Sequence, residues 1–362
     1  MKQKTISVLI LMAWASLCLL LWFGPRQSFS DSERRPLAQN PGISVETVLN
    51  GKFMGDFEDF TLDQFPLRDS FRSLKSLFHY HILGQSDNNG IYLHNGHAAN
   101  QEYPLNAASI SHAMNRFSWL YENYLTDSKV YMAIVPDKGQ YLAEESGHLS
   151  LPFDQLNMLV QEAMPWATHI DLCGSLDYTD YYRTDTHWKQ ENLLPAASKI
   201  TEAMGIRTPK AEDYTLMALD RPFYGVYYGQ AALPMEPDTL RYLTSEVLDN
   251  CTVYDHETGK TTPVYDHSKE NSKDLYDFFL SGAKPLLTVE NPMANSEKEL
   301  IVFRDSFGSS MIPLLTHNYD KITLVDIRYV APDFLPQFID FHGQDVLFLY
   351  STLVLNSSDT LK

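Results

Sequence analysis

The spacing of apolar positions changes several times along the chain, and each change marks an element. Residues 6–23, ISVLILMAWASLCLLLWF, are apolar and uncharged throughout, long enough to cross a bilayer as a helix. Residues 24–43 are rich in Ser, Arg and Pro without hydrophobic period, which predicts a linker. From Ser44 the pattern turns amphipathic, with Val45, Val48, Leu49 and Phe53, then Phe57, Phe60, Leu62 and Phe65 before Pro66. A further helical run from about Asp69 to Leu83 ends near Gly84 and the turn-rich DNNG. Residues 44–105 therefore read as a helical region.

Beyond it the period alternates between strand and helix. Ile110, Met114, Phe117 and Tyr121 repeat at helical spacing within 106–125. KVYMAIV, 129–135, is β-branched and apolar and closes on Pro136, as a strand buried on both faces would. A helical segment with Leu156, Leu159, Val160 and Ala163 precedes a second strand, THIDL, 168–172. Asn192 is placed to cap a helix with Pro195 in its first turn and Leu194, Ala197, Ile200, Thr201 and Met204 on one side. ELIVF (299–303), KITLVD (321–326) and DVLFLY (345–350) complete five strands. This alternation predicts an α/β domain over 106–362 built on a five-stranded parallel sheet with flanking helices. Residues 205–297 interrupt it with short aromatic runs and a hairpin around NCTVYDHETGKTTPVYDH, so they predict a β-rich insertion over the sheet's edge, either a lid or a surface excursion.

Charge narrows the partners. With 28 Lys and Arg against 46 Asp and Glu, the net charge is −18, and no basic run is long enough to track a phosphate backbone, so nucleic acid is not an expected partner. Lys2 and Lys4 precede the apolar run, so 1–23 reads as a cytoplasmic N-terminus and single-pass transmembrane signal anchor, with everything after Gly24 outside. A cleaved signal peptide is the rival: Ala13 and Ala15 form an A-x-A pattern, but inside the run, and Ser28 to Ser30 is only a passable cleavage site. Cys18 lies within the run behind bulky Leu17, a poor lipidation site. Cys173 and Cys251 would both face an oxidising compartment, as a disulfide or as two thiols.

Candidate chemistry starts at YYRTDTHW, residues 181–188. Asp185 and His187 stand two apart, on one side of an extended segment, so the carboxylate can fix the imidazole tautomer while the other ring nitrogen takes a proton. The nucleophile they need is Ser306 in ELIVFRDSFGSS, which leaves a strand and enters a turn before a helix. Such turns expose a side chain at the carboxyl edge of a parallel sheet and can aim backbone amides at an oxyanion. No metal site is expected: His79 and His81 would point apart on a helix, and His169, His256 and His267 show no ligand spacing with Asp185 and His187.

YYRTDTHW and IVFRDSFGSS resemble the signature blocks of the DHHW family, named for the motif that stands here as Asp185, Thr186, His187 and Trp188. That family is similar to the alginate O-acetylation proteins and, more distantly, to the SGNH hydrolases. SERRPLAQNP, FMGDFEDFTLDQFPLRDSF, NNGIYL, IVPDKGQYL, YDFFLSGAKPLLTVENP, VDIRYV and DVLFLY extend the likeness across roughly 33–355. Two positions depart: Thr186 replaces the first histidine of the family's name, and Arg304 stands where many SGNH enzymes carry Gly before Asp-Ser.

The resemblance implies an SGNH hydrolase-like (flavodoxin-like) fold with Ser306 as nucleophile, His187 as general base and Asp185 as its orienting carboxylate. It implies an O-acyltransferase, acetyl-transferring, that acts on a cell-wall or exported polysaccharide, takes its acyl group from a membrane-bound O-acyltransferase and uses no cofactor. A carbohydrate O-acetylesterase with the same triad, or a non-catalytic polysaccharide-binding subunit, are the alternatives. Arg328 and Tyr329 after KITLVD, Lys138 after KVYMAIV, and Trp188 and Tyr182 beside the Asp/His pair are further candidates for sugar contact.

Overall fold

The computed structural model describes residues 2–294 and 296–362. They form two compact units, one of residues up to Ile91 with Tyr228–Met235, the other of Tyr92–Tyr227 with Glu236–Lys362. The division falls earlier than the 105/106 boundary drawn from composition, and a short piece of the inserted segment belongs with the N-terminal unit.

In the larger unit the eight strands of one sheet are β1 (Val130–Val135), β2 (Thr168–Asp171), β3 (Thr252–Asp255), β4 (Lys260–Pro263), β5 (Leu286–Glu290), β6 (Glu299–Arg304), β7 (Lys321–Val325) and β8 (Asp345–Ser351). Their order is β4-β3-β5-β7-β6-β8-β1-β2. The strands read from the sequence form the run β7-β6-β8-β1-β2, paired in parallel throughout. The sheet as a whole is mixed rather than purely parallel, which corrects the expected five strands. The insertion does not merely cover an edge: its strands β5, β3 and β4 continue the sheet antiparallel from β7.

Apolar residues on both faces explain why β1, β6 and β8 read as unbroken hydrophobic runs. Tyr131, Ala133 and Val135 join one core with the helix Leu194–Met204, while Val130, Met132 and Ile134 join a second core with the helices Ala107–Leu120 and Phe153–Ala163. The helix Leu194–Met204 carries Pro195 in its first turn and closes on Gly205 at φ 66°, a left-handed C-cap that glycine adopts without strain. Its N-cap is Leu193; Asn192 lies in the preceding 3-10 turn, so the expected side-chain cap is absent.

In the smaller unit the apolar helix is Lys2–Phe23, and Lys4–Phe23 within it is long and apolar enough to cross a membrane. The helices Val45–Leu49, Lys52–Asp63 and Arg68–Leu77 follow, the last continuing as a π-turn over Phe78–Ile82. Ser44 caps the first through a reciprocal box with Thr47. Cys18, Cys173 and Cys251 are all free thiols.

Candidate active site

The chain leaves β6 through Arg304 and Asp305 and turns at Ser306 into the short helix Gly308–Met311. Asp305 makes this turn rigid. Its Oδ1 accepts from the amide of Phe307 (3.0 Å), its Oδ2 accepts from the amide of Ser351 at the end of β8 (2.7 Å), and its carbonyl accepts from Gly308 (3.2 Å). Arg304 is fully buried beneath the turn, where its Nη1 donates to the Asp305 carbonyl and to Ser309 Oγ. Gly308 packs against that side chain so closely that a Cβ would lie 2.9 Å from Arg304 Cβ. Arg304 thus braces the turn from below. Ser306 alone remains half-buried between the buried Asp305 and Phe307.

The Asp/His segment is a tight reversal. Tyr181 bridges Trp188 antiparallel, and the Tyr182 amide donates to the His187 carbonyl at 3.0 Å. Two buried charges hold its tip. Lys138 Nζ donates to the carbonyls of Tyr182 (2.7 Å) and Asp185 (2.6 Å), and its burial pushes the ammonium down to about 8 against the opposing pull of Asp137, Asp185 and Asp238. Asp238, from the insertion, accepts from the amides of Arg183 and Thr184, each at 2.9 Å, and from the Thr184 hydroxyl at 2.7 Å. Thr186 accepts a hydrogen bond from Tyr227 at 3.1 Å, a role that needs no histidine.

These two segments meet. His187 Nδ1 donates to Asp185 Oδ1 at 2.5 Å, which leaves Nε2 to accept from the Ser306 hydroxyl at 2.8 Å. Asp185 Oδ1 also accepts from the His187 amide (3.0 Å), and its Oδ2 from the amide of Val226 (2.8 Å). The neighbouring Gly225 lies against this carboxylate, and a Cβ there would fall 2.1 Å from Asp185 Cβ. Tyr276 covers the imidazole, its ring 3.8 Å from that of His187 and 7° from parallel, with its hydroxyl 2.8 Å from Ser310 Oγ. A hydroxyl, an imidazole and a carboxylate in such a line can move a proton off the oxygen as it attacks an electrophile. Among the described residues no group of three or more His, Cys, Asp or Glu could hold a metal.

The remaining sequence candidates divide by burial. Trp188 is fully buried, and its Nε1 donates to the Phe307 carbonyl (3.1 Å) and Ser310 Oγ (2.9 Å), so it ties the His187 segment to the Ser306 turn. Tyr182 and Lys138 are likewise fully buried and frame the loop rather than face solvent. Arg328 and Tyr329 lie outside that frame. β7 pairs with β6 up to Val325 opposite Phe303, so 326–328 and 304–306 leave the sheet side by side. Arg328 grips Asp326 through Nε (2.9 Å) and Nη2 (2.6 Å), while Tyr329 is 51% exposed. Sequence reasoning missed Gly225, Val226, Asp238, Tyr276 and Ser310. Four of them lie in the insertion, where no local spacing ties them to residue 187.

The family model described as DHHW protein matches residues 173–325, a span that holds both the Asp/His and the serine segments. Among solved structures, a DHHW family protein from Eubacterium siraeum superposes with a TM-score of 0.62 at 20% identity, over 76% of this chain and 95% of that one. PatB1 of Bacillus cereus with a sulfonyl adduct gives 0.60 at 18% identity, over 75% and 97%. The O-acetyltransferase domain of Pseudomonas putida AlgJ gives 0.44 at 16%, over 74% and 92%. No curated protein matches the chain by sequence. The family match bears out the resemblance read from YYRTDTHW and the serine block, and the first two superpositions establish a shared fold.

Proposed function

We propose that this chain, with its DHHW match across both segments, is a membrane-anchored extracytoplasmic O-acyltransferase that acetylates a cell-wall or exported polysaccharide through an acyl-serine. The observation that carries this reading is the 2.8 Å contact between Ser306 Oγ and His187 Nε2, with Asp185 on the far side of the ring. In the first half-reaction His187 takes the Ser306 proton as Oγ attacks the acyl carbonyl. The bond to the donor's oxygen then breaks, and His187 passes the proton to that leaving group. In the second, His187 takes a proton from a sugar hydroxyl as that oxygen attacks the acyl-serine, then returns it to Ser306 as the ester bond opens. The amides of Phe307 and Gly308 are committed to Asp305, so the Ser306 amide is the local candidate to stabilise the oxyanion.

Arg328 and Tyr329 are assigned to the acceptor sugar. In this reading the helix Lys4–Phe23 anchors the chain, N-terminus in the cytoplasm, and a membrane-bound O-acyltransferase supplies the acyl group. An anchor keeps the acyl-serine near such a donor, which favours transfer over simple hydrolysis. With water in place of the sugar hydroxyl the same residues make an esterase.

Full-length protein is expected to hydrolyse a chromogenic acetyl ester, and Ser306→Ala to lose at least about 10³-fold of that rate. A sulfonyl fluoride should transfer its sulfonyl group to the peptide that contains Ser306, with fluoride leaving and the Ser306 proton lost, and the added mass should be that of the sulfonyl group less one hydrogen. Wild type as inert as Ser306→Ala toward both the ester and acetylated glycans would leave the non-catalytic subunit as the better reading. Hydrolysis without transfer to any glycan would favour the esterase.

A further inference from the structure

The helix Arg68–Leu77 with its π-turn Phe78–Ile82, entered through Leu67, is amphipathic in the inverted sense. Phe71, Leu74 and Phe78 recur every three or four residues and so share one face of the helix, with Leu67 at its entry and Ile82 at the end of the π-turn extending the apolar surface. All five are exposed, from 44% for Phe71 to 71% for Leu67. The polar residues point the other way and hold the helix in its unit. Arg68 and Arg72 pair with Glu33 at 2.6 and 3.1 Å, Arg72 also donates to the Gly229 carbonyl, and Asn88 joins Ser76 to the Ala231 carbonyl. A soluble helix buries its apolar stripe and hydrates its charges. Here Arg68 and Arg72 are engaged within the unit and the stripe faces outward, which makes it a docking surface.

Its occupant follows from what the same compact unit contains. The apolar helix ends at Phe23, and its last turn packs on the helix Lys52–Asp63: Trp22 lies 6.0 Å from Phe57, and Arg26 sits 4.7 Å over Phe60 while donating to the carbonyls of Leu21 and Trp22. Trp22 and Arg26 are residue types that settle where acyl chains give way to headgroups. This unit therefore sits at the lipid boundary if Lys4–Phe23 spans the bilayer, a reading on which the inference rests. Exposed Val45, Val48 and Leu49 add apolar surface, and Lys75, exposed beside Leu74, can reach lipid phosphate. We propose that Leu67–Ile82 lies flat on the membrane with its apolar stripe in the acyl–headgroup boundary, a second attachment besides the spanning helix.

The test places p-benzoylphenylalanine at Leu74, and separately at Leu19 within the apolar helix, in the full chain carried in liposomes of phosphatidylcholine and phosphatidylglycerol and in native membranes. Irradiation is expected to give lipid adducts at both positions. A lipid adduct at position 19 with a dimer, another protein or nothing at position 74 overturns the proposal and leaves the anchor standing. No lipid adduct at either position overturns the anchor and the proposal together.

Discussion

His187 is gripped on three sides: Asp185 at Nδ1, Ser306 at Nε2 and the Tyr276 ring across its face. The stacked ring fixes the plane in which Nε2 meets Oγ. Tyr276→Phe keeps the ring and loses only the hydroxyl contact with Ser310, so its ester hydrolysis should stay within a few-fold of wild type. Tyr276→Ala removes the wall and should lower kcat by about 10- to 100-fold with a smaller change in KM. A near-wild-type Tyr276→Phe beside a Tyr276→Ala defect in kcat rather than KM separates this role from one carried by the hydroxyl contact with Ser310. Asp185, His187 and Ser306 were legible in the sequence because each carries its chemistry in its residue type and two of them stand two apart. Tyr276 was not: in LYDFF it is one aromatic among several, and its partner is 89 positions away (276 − 187).

At the scale of elements, the insertion read as either a lid or a surface excursion proves to be part of the sheet and of the site's frame. The five parallel strands were visible because burial on both faces leaves continuous apolar runs. β3 and β4 were visible as a hairpin, but that β5 would join them to β7 depends on pairings between distant segments, which no local period records. The same segment brings the Val226 amide to Asp185 and the Asp238 carboxylate to the amides of Arg183 and Thr184. Gly225 permits the first of these contacts. A methyl group there overlaps Asp185 Cβ and Cα, at 2.1 and 2.4 Å, and backbone cannot yield as a flexible side chain can. Gly225→Ala should therefore destabilise the fold by about 1–3 kcal/mol, as overpacking does. It should also lower kcat by about 10²- to 10⁴-fold by moving the carboxylate that orients the base. Thermal melting and ester turnover measured on one preparation check both. An activity loss no larger than the unfolded fraction would mean that Asp185 keeps its place.

For the whole molecule, one buried acid, Glu102, ties the segment that enters the larger unit to Thr352 just after β8. Glu102 Oε2 accepts from the Thr352 hydroxyl at 2.7 Å, and its other oxygen has no partner among the described residues in a small cavity lined also by Tyr92, Asn100, Asp137 and Thr352. Burial, reinforced by the charge of Asp137, pushes this carboxyl up to about 8 from the ordinary 4.5. The folded protein therefore holds a proton at Glu102 that the unfolded chain has released between those two values. Its contribution is fully present below about pH 4.5 and is lost as pH rises toward 8, by up to a few kcal/mol. Two neighbours act in the opposite sense. Burial holds His97 down to about 4, so stability from that group grows between pH 4 and 6.5, and Lys138, held down to about 8, adds a similar rise above that value. The net charge of −18 adds a self-repulsion that both wild type and a neutral variant at position 102 feel almost equally. The difference between wild type and Glu102→Gln removes these shared contributions and leaves the proton held at Glu102 together with its coupling to Asp137. Urea denaturation of the two proteins at pH 5 and at pH 8 should show wild type losing more stability over that interval than Glu102→Gln. Parallel losses would mean that Glu102 ionises at its ordinary value and that the link between Glu102 and Thr352 does not sense pH.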